Sequence, residues 1–206
     1  MGLRYKNYIF DFGKVIVEFE PEVMLSPYIA DNSDRELAGK VVFDRIYWDK
    51  LDAGTITDDE VIAAISARLP ERLRKPAIAA YQNWYRNLPL IDGMCELIEK
   101  IKNEGGKLFL LSNISKGFAE NYASVEEFDR LFSLFDGLVF SGPLGKIKPH
   151  AEIFKHLLDT YGIAADDSIF IDDNLSNIMG AKSVNINGYL FNRDIENLEK
   201  ERILNS

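Results

Sequence analysis

One cysteine, Cys95, stands among 206 residues. No internal disulfide can form, and the chain reads as one for a reducing compartment, most simply the cytoplasm. No apolar run approaches the roughly 18 residues of a membrane span; the longest, around Leu108–Leu111, has the length of a strand. The N-terminal stretch MGLRYKNYIFDFG has basic residues but neither a long apolar segment nor a small-residue cleavage site, which argues against a secretory leader. Cations are also short: 24 Lys and Arg against 33 Asp and Glu leave a net charge of −9. Such a surface repels a phosphate backbone, so nucleic acid is a poor partner, and it repels small anions at long range. Any anion site must be local, built from backbone N–H groups, a few cations or a metal. Histidine is scarce too. His150 and His156 fall at the start and on a face of one expected helix, and neither suits catalysis or a magnesium site. There is no internal repeat and no low-complexity segment.

What is present is an ordinary core. With 47% hydrophobic residues, 13 Phe and 9 Tyr, the chain can bury a core and disorder is not its main state. Its length suits one large domain, or a core plus a small satellite, as a monomer or homodimer. Short apolar runs at Tyr8–Asp11, Lys107–Leu111, Gly137–Phe140, Ser168–Ile171 and Gly188–Phe191 predict strands. Helical patterns separate the later runs, with Gly105-Gly106 and Gly162 as stops. A charged helix is expected over 194–204. Between about Pro21 and Leu88 the spacing is helical, as in Val61, Ile65 and Leu69, with Asp58 and Asp59 as possible caps. Only Val41-Val42-Phe43 is ambiguous there. The pattern predicts an α/β fold, a doubly wound, mostly parallel sheet with helices on both faces and a compact helical insertion.

In such sheets ligands bind beyond the C-terminal strand ends. Those ends carry Asp11, Ser112-Asn113 and Asp172-Asp173, with Gly145-Lys146-Ile147-Lys148-Pro149 before the fourth strand. Each alone is an ordinary turn or helix start. Together they make a chemistry. Adjacent carboxylates hold Mg²⁺, a hard cation that prefers oxygen. A carboxylate can attack phosphorus. A hydroxyl, backbone N–H groups and an ammonium bind the remaining phosphate oxygens.

Ile9-Phe10-Asp11-Phe12-Gly13, Leu110-Leu111-Ser112-Asn113, Lys148-Pro149 and Ile171-Asp172-Asp173 resemble the four ordered motifs of the haloacid dehalogenase superfamily. The resemblance spans residues 8 to about 191, and is to helical-capped members such as bacterial sugar-phosphate phosphatases with an Asp-x-Gly first motif. It implies a Rossmann-like core domain of 1–16 and 89–206, with the insertion, 17–88, as a small α-helical cap domain. It implies that Asp11 is the nucleophile and a metal ligand and that the Gly13 carbonyl is a second ligand. Ser112, with Asn113 through backbone or side chain, would bind the phosphoryl group. Lys148 would neutralise nucleophile and phosphate, and Asp173 with Asp172 would complete a Mg²⁺ site. Lys146 is in the wrong register for that lysine.

The departures matter. Phosphatases of this family usually carry a second Asp two positions after the nucleophile, to protonate the leaving group and then activate water. Here Gly13 stands there, which removes help worth about 10²–10⁴ in rate. Lys14 follows, and is expected either to supplement phosphate binding or to point to solvent. The cluster Arg45, Tyr47, Trp48 and Asp49 offers a cation and stacking surfaces for a sugar phosphate, while Trp84 and Tyr85 read as hinge packing and Cys95 as buried in a helix. The expected function is a Mg²⁺-dependent phosphatase for a small phosphorylated metabolite, sugar phosphates first. The alternatives are a metabolite-binding or regulatory protein on a weakened phosphatase core, and a metal-independent 2-haloacid dehalogenase.

Overall fold

The computed structural model describes residues 2–203. Five parallel strands form one sheet in the order β3-β2-β1-β4-β5. They are β1 (Asn7–Phe10), β2 (Lys107–Ser112), β3 (Gly137–Phe140), β4 (Ser168–Asp172) and β5 (Asn187–Leu190). Every residue of β1 and β4 is buried, as expected of a parallel sheet covered on both faces. Alternate residues divide between two cores. Tyr8, Phe10, Leu108, Leu110, Ile169 and Ile171 face one; Ile9, Phe109, Leu111 and Phe170 face the other. The second core is closed by α10 (Ala151–Tyr161) and α11 (Leu175–Lys182), through Phe154, Leu157 and Ile178.

Between β1 and β2 lie α1 (Pro21–Leu25), α2 (Asn32–Val42), α3 (Arg45–Asp52), α4 (Asp58–Arg68), α5 (Glu71–Gln82) and α6 (Met94–Asn103). The segment 21–88 holds helices and no strand among its described residues. Val41 and Val42, ambiguous in sequence, end α2. Tertiary burial against Leu25 and its neighbours decides for helix, both valines being buried. Thr57, not Asp58 or Asp59, caps α4: its side chain accepts from the Glu60 N–H while Glu60 reaches back to the Thr57 N–H. The aspartates stand in the first turn, where they favour the helix dipole. The apolar face of this segment belongs to the same core as one face of the sheet.

The remaining elements are α7 (Lys116–Asn121), α8 (Glu126–Phe132), α9 (Ser141–Leu144) and α12 (Ile195–Leu198). After β1 the chain turns over Lys14–Ile16, with bridges from Gly13 to Val17 and from Val17 to Leu90. Ser141–Leu144 is one helical turn. The tail helix is α12 followed by a π-type turn over Glu199–Ile203, and Leu204 lies outside the described residues. Cys95 is half-buried on α6.

Besides the shared core, hydrogen bonding and close backbone packing tie the insertion to the sheet at α9. The Ser141 hydroxyl, fully buried, donates to the Asp52 carbonyl at 2.6 Å and accepts from the Ile114 N–H at 2.9 Å. Gly54, at φ +67°, sits so close to Gly142 that a Cβ would lie 2.3 Å from the Gly142 carbonyl oxygen. Only glycine suits both that φ and that approach.

Candidate active site

The strand order reverses between β1 and β4, and the charged residues gather at those two C-terminal ends. Asp11 follows β1 directly, Asp172 closes β4, and Ser112 closes β2. Lys148 comes from the loop after α9. Its ammonium lies 2.7 Å from Asp11 Oδ1 and 2.8 Å from Asp172 Oδ2, with 1% of its side chain exposed. It also stands 5.2 Å from the centre of the Phe170 ring. Burial pulls the lysine down, but the two carboxylates outweigh it and hold Lys148 above the ordinary lysine value.

Asp11 Oδ1 accepts from the Phe12 N–H at 2.7 Å as well as from Lys148. No described bond engages Oδ2. Burial, and then the Asp172 charge, push the Asp11 carboxyl up to about 7 against the pull of Lys148. Asp172 is fully buried and fully bonded: Oδ1 accepts from the Asn174 N–H at 2.7 Å, and the Asn177 amide reaches both oxygens. Its job in this geometry is to hold Lys148. Asp173 is exposed beside it. Loss of solvation, and then Asp172, raise its carboxyl.

Oxygen atoms of Asp11, Asp172 and Asp173 lie within 4.8 Å of one another. The bridge at Gly13 runs through the Lys14 N–H to the Val17 carbonyl and the Val17 N–H to the Phe12 carbonyl. It therefore leaves the Gly13 carbonyl uncommitted. This all-oxygen set with two or three carboxylates fits a small hard dication. Asp11, Asp173 and the Gly13 carbonyl are the free donors, and Asp172 stands behind them.

A cavity of about 560 Å³ opens over this cluster. Asp11, Gly13, Lys14, Ser112, Asn113, Lys148 and Asp173 line its sheet side; Arg45, Trp48, Asp49 and Asp52 line it from α3. Some expected residues have other engagements. The Asn113 side chain bonds twice to the Lys148 backbone, donating to its carbonyl at 3.0 Å and accepting from its N–H at 2.8 Å. Only its backbone is left for a phosphate. Lys14, at φ +62°, is half-exposed and 3.8 Å from Glu20. Arg45 pairs with Asp49 at 2.8 Å with 78% of its side chain exposed. Tyr47 lies under the Arg68 guanidinium instead of lining the cavity. Trp84, expected as hinge packing alone, faces the cavity and packs on Phe19 and Trp48. Tyr85 does pack, against Phe118.

Sequence reasoning missed Phe19, Asp52, Asn174, Ser176 and Asn177, all in the cavity wall. Asp52 had a readable signal. Arg45, Trp48, Asp49 and Asp52 share the i, i+3, i+4, i+7 face of one helix.

The family model for haloacid dehalogenase-like hydrolases matches residues 5–185. A sesquiterpene phosphatase of Aspergillus oryzae is 26% identical over 189 residues, 91% of this chain and 90% of that protein. A phosphoglycolate phosphatase of Colwellia psychrerythraea is 24% identical over 203 residues, 91% of this chain and 87% of that protein. Among solved structures, a HAD family enzyme of Bacteroides thetaiotaomicron, in complex with magnesium and inorganic phosphate, matches with a TM-score of 0.66. It is 21% identical and covers 92% of this chain and 96% of its own. A dehalogenase matches with a TM-score of 0.72 at 18% identity, covering 93% of this chain and 86% of its own. At such identities the two structures speak for the fold. Among the described residues, no helix is long and apolar enough to cross a membrane.

Proposed function

Because the chain belongs to the haloacid dehalogenase-like hydrolases, we propose that it is a magnesium-dependent phosphatase for a small phosphorylated metabolite. The observation that carries this reading is the buried Lys148 ammonium clamped between Asp11 and Asp172 at the floor of the cavity. A lysine so placed fixes Asp11 through Oδ1 and leaves Oδ2 to attack phosphorus in line. An aspartyl-phosphate forms on Asp11, and water then hydrolyses it. Lys148, the Ser112 hydroxyl and the Asn113 backbone stabilise charge on the phosphoryl oxygens. Asp11, the Gly13 carbonyl and Asp173, with Asp172 behind them, would hold Mg²⁺, which would supply further neutralisation of the phosphate charge. Lys14 lies at the cavity wall and supplements phosphate binding in this reading; Lys14→Ala then raises KM.

Residues 17–88 act as the cap that selects the substrate. The wall of Phe19, Trp48 and Trp84 beside Arg45 and Asp49 offers stacking faces and a cation, which suits a sugar phosphate. The same three rings favour a second reading, a phosphate ester of a more apolar alcohol. The sesquiterpene phosphatase relative is named for such a substrate. The single cysteine suits a cytoplasmic setting for either.

The test is phosphate release from p-nitrophenyl phosphate and from a panel of sugar and terpenyl phosphates, with Mg²⁺ and with EDTA. Turnover that needs Mg²⁺ and is lost in Asp11→Asn is expected. Turnover that survives Asp11→Asn refutes the mechanism. Halide release from 2-chloropropionate in EDTA would move the assignment to a dehalogenase, and binding of phosphate esters without turnover to a binding protein.

A further inference from the structure

The site has a nucleophile, a phosphate clamp and metal donors, but position 13 has no side chain to protonate the leaving group. One carboxyl in the cavity has no other occupation. Asp52 closes α3, lines the cavity and is 7% exposed. Its Oδ1 is buried, and it is the one buried side-chain nitrogen or oxygen without a hydrogen-bond partner among the described residues. An unpaired buried carboxyl is costly and calls for an explanation. The backbone of Asp52 is firmly held, by the Ser141 hydroxyl on its carbonyl and by the Gly54–Gly142 approach two residues on. The chain is thus anchored to the core at the residue whose side chain makes no bond.

We propose that Asp52 is the general acid and base of the phosphatase reaction, supplied from the insertion in place of the residue missing at Gly13. The proposal rests on the phosphatase reading above. In the first step Asp11 Oδ2 forms a bond to phosphorus, and the bond to the ester oxygen breaks with its electron pair on that oxygen. The Asp52 carboxyl gives its proton to the same oxygen, and the alcohol leaves. In the second step water attacks phosphorus and the Asp52 carboxylate takes its proton. The phosphorus–Asp11 bond breaks, and phosphate, free Asp11 and protonated Asp52 result.

The surroundings suit an acid. Burial raises the Asp52 carboxyl well above the usual carboxylate range. Arg45 pulls it back, Asp49 and Asp11 push it further up, and Lys148 pulls it down. The balance favours the protonated form, ready to donate. Asp11 and Lys148 act on Asp52 electrostatically across the cavity, so the carboxyl and the reacting atoms share one field.

The test uses the full chain with Mg²⁺ and a series of aryl phosphates running from p-nitrophenyl to p-methoxyphenyl phosphate. Release of the phenol in a single turnover is read for wild type, Asp52→Asn and Asp52→Ala. The wild type is expected to depend weakly on the leaving group. Both variants are expected to release p-nitrophenol within about tenfold of wild type and p-methoxyphenol about 10²–10⁴-fold more slowly. A merely structural Asp52 would slow all the esters alike. Equal slopes in wild type and variants overturn the proposal while leaving the phosphatase reading standing. A wild type whose turnover survives Asp11→Asn removes that reading and this proposal with it.

Discussion

Lys148→Met is the perturbation whose cost the structure specifies best. The ammonium has two carboxylate partners at 2.7 and 2.8 Å, and the three side chains are 1%, 12% and 0% exposed. At the effective dielectric that describes such sites, each pair attracts by about 6 kcal/mol before desolvation is counted. Desolvation of three buried ions offsets most of that, and removal of one partner from a buried ion pair costs about 3–5 kcal/mol net. Asp11, already pushed up to about 7, takes a proton more easily than an ordinary aspartate. That places the loss at the low end, about 3 kcal/mol, or about 6–12 °C in Tm for a chain of this length.

The sign with pH follows. Without the ammonium, burial and the Asp172 charge hold Asp11 protonated above its unfolded value near 3.8. The folded state then binds more protons than the unfolded one. Stability falls as pH rises from that value to the folded one, by about 1.4 kcal/mol per unit for each proton held. Lys148→Met therefore loses less at pH 5.5 than at pH 7.5. Adding Asp172→Asn removes one stranded charge and recovers part of the loss. The assay is thermal unfolding in EDTA across that pH range. A Lys148→Met protein within about 2 °C of wild type, or a double variant less stable than the single, would refute the account of Lys148 as a buried charge clamp.

Two further outcomes check other parts of the structure. Asp136 accepts from Lys102 and from the Leu108 N–H, and these bonds outweigh burial and hold its carboxyl below the ordinary value. Its stabilisation is full above about 3.9 and fades as pH falls through the folded value. The Tm gap between wild type and Asp136→Asn, measured by thermal unfolding, should narrow below pH 4; a gap constant to pH 3 contradicts the pairing. In Gly180→Ala the new Cβ would stand 2.2 Å from the Pro149 carbonyl oxygen and 2.9 Å from the Phe154 ring. Pushing α11 off that loop is expected to cost about 1–3 kcal/mol in a thermal melt and to lower activity through Lys148. An alanine variant equal to wild type in both would show that the helix does not sit so close.

The parallel sheet was legible because its strands are short, mainly apolar runs bounded by polar residues, two of them ending in acids at Asp11 and Asp172-Asp173. Ser112, Lys148 and the carboxylates were legible for the same reason: the topology sends every strand end to one edge. Val41–Val42 stayed ambiguous because β-branched residues fit any buried position, and partners far along the chain decide between helix and strand. Asn113 illustrates a finer limit. Its residue type suited phosphate binding, but its amide is engaged by the Lys148 backbone, 35 positions away. Trp84 erred the other way: an aromatic near a segment boundary reads as packing, yet it both packs and faces the cavity.

Gly13 and Phe19 connect the missing acid to the inserted helices. A Cβ at Gly13 would meet the Phe19 side chain at 3.6 Å, an ordinary contact. Phe19 in turn packs on Phe43, Trp48 and Trp84, so aromatic carbon from the insertion forms a wall beside position 13. That wall makes the site drier, which strengthens the Asp11–Lys148 attraction and disfavours a charged group there. The Asp52 carboxyl stands at the end of α3, buried in the cavity wall, while its backbone carbonyl accepts from Ser141 of the core. In the proposal above the proton donor stands on the insertion and the nucleophile directly after β1, so the contacts that hold the insertion to the core also fix the distance between acid and nucleophile.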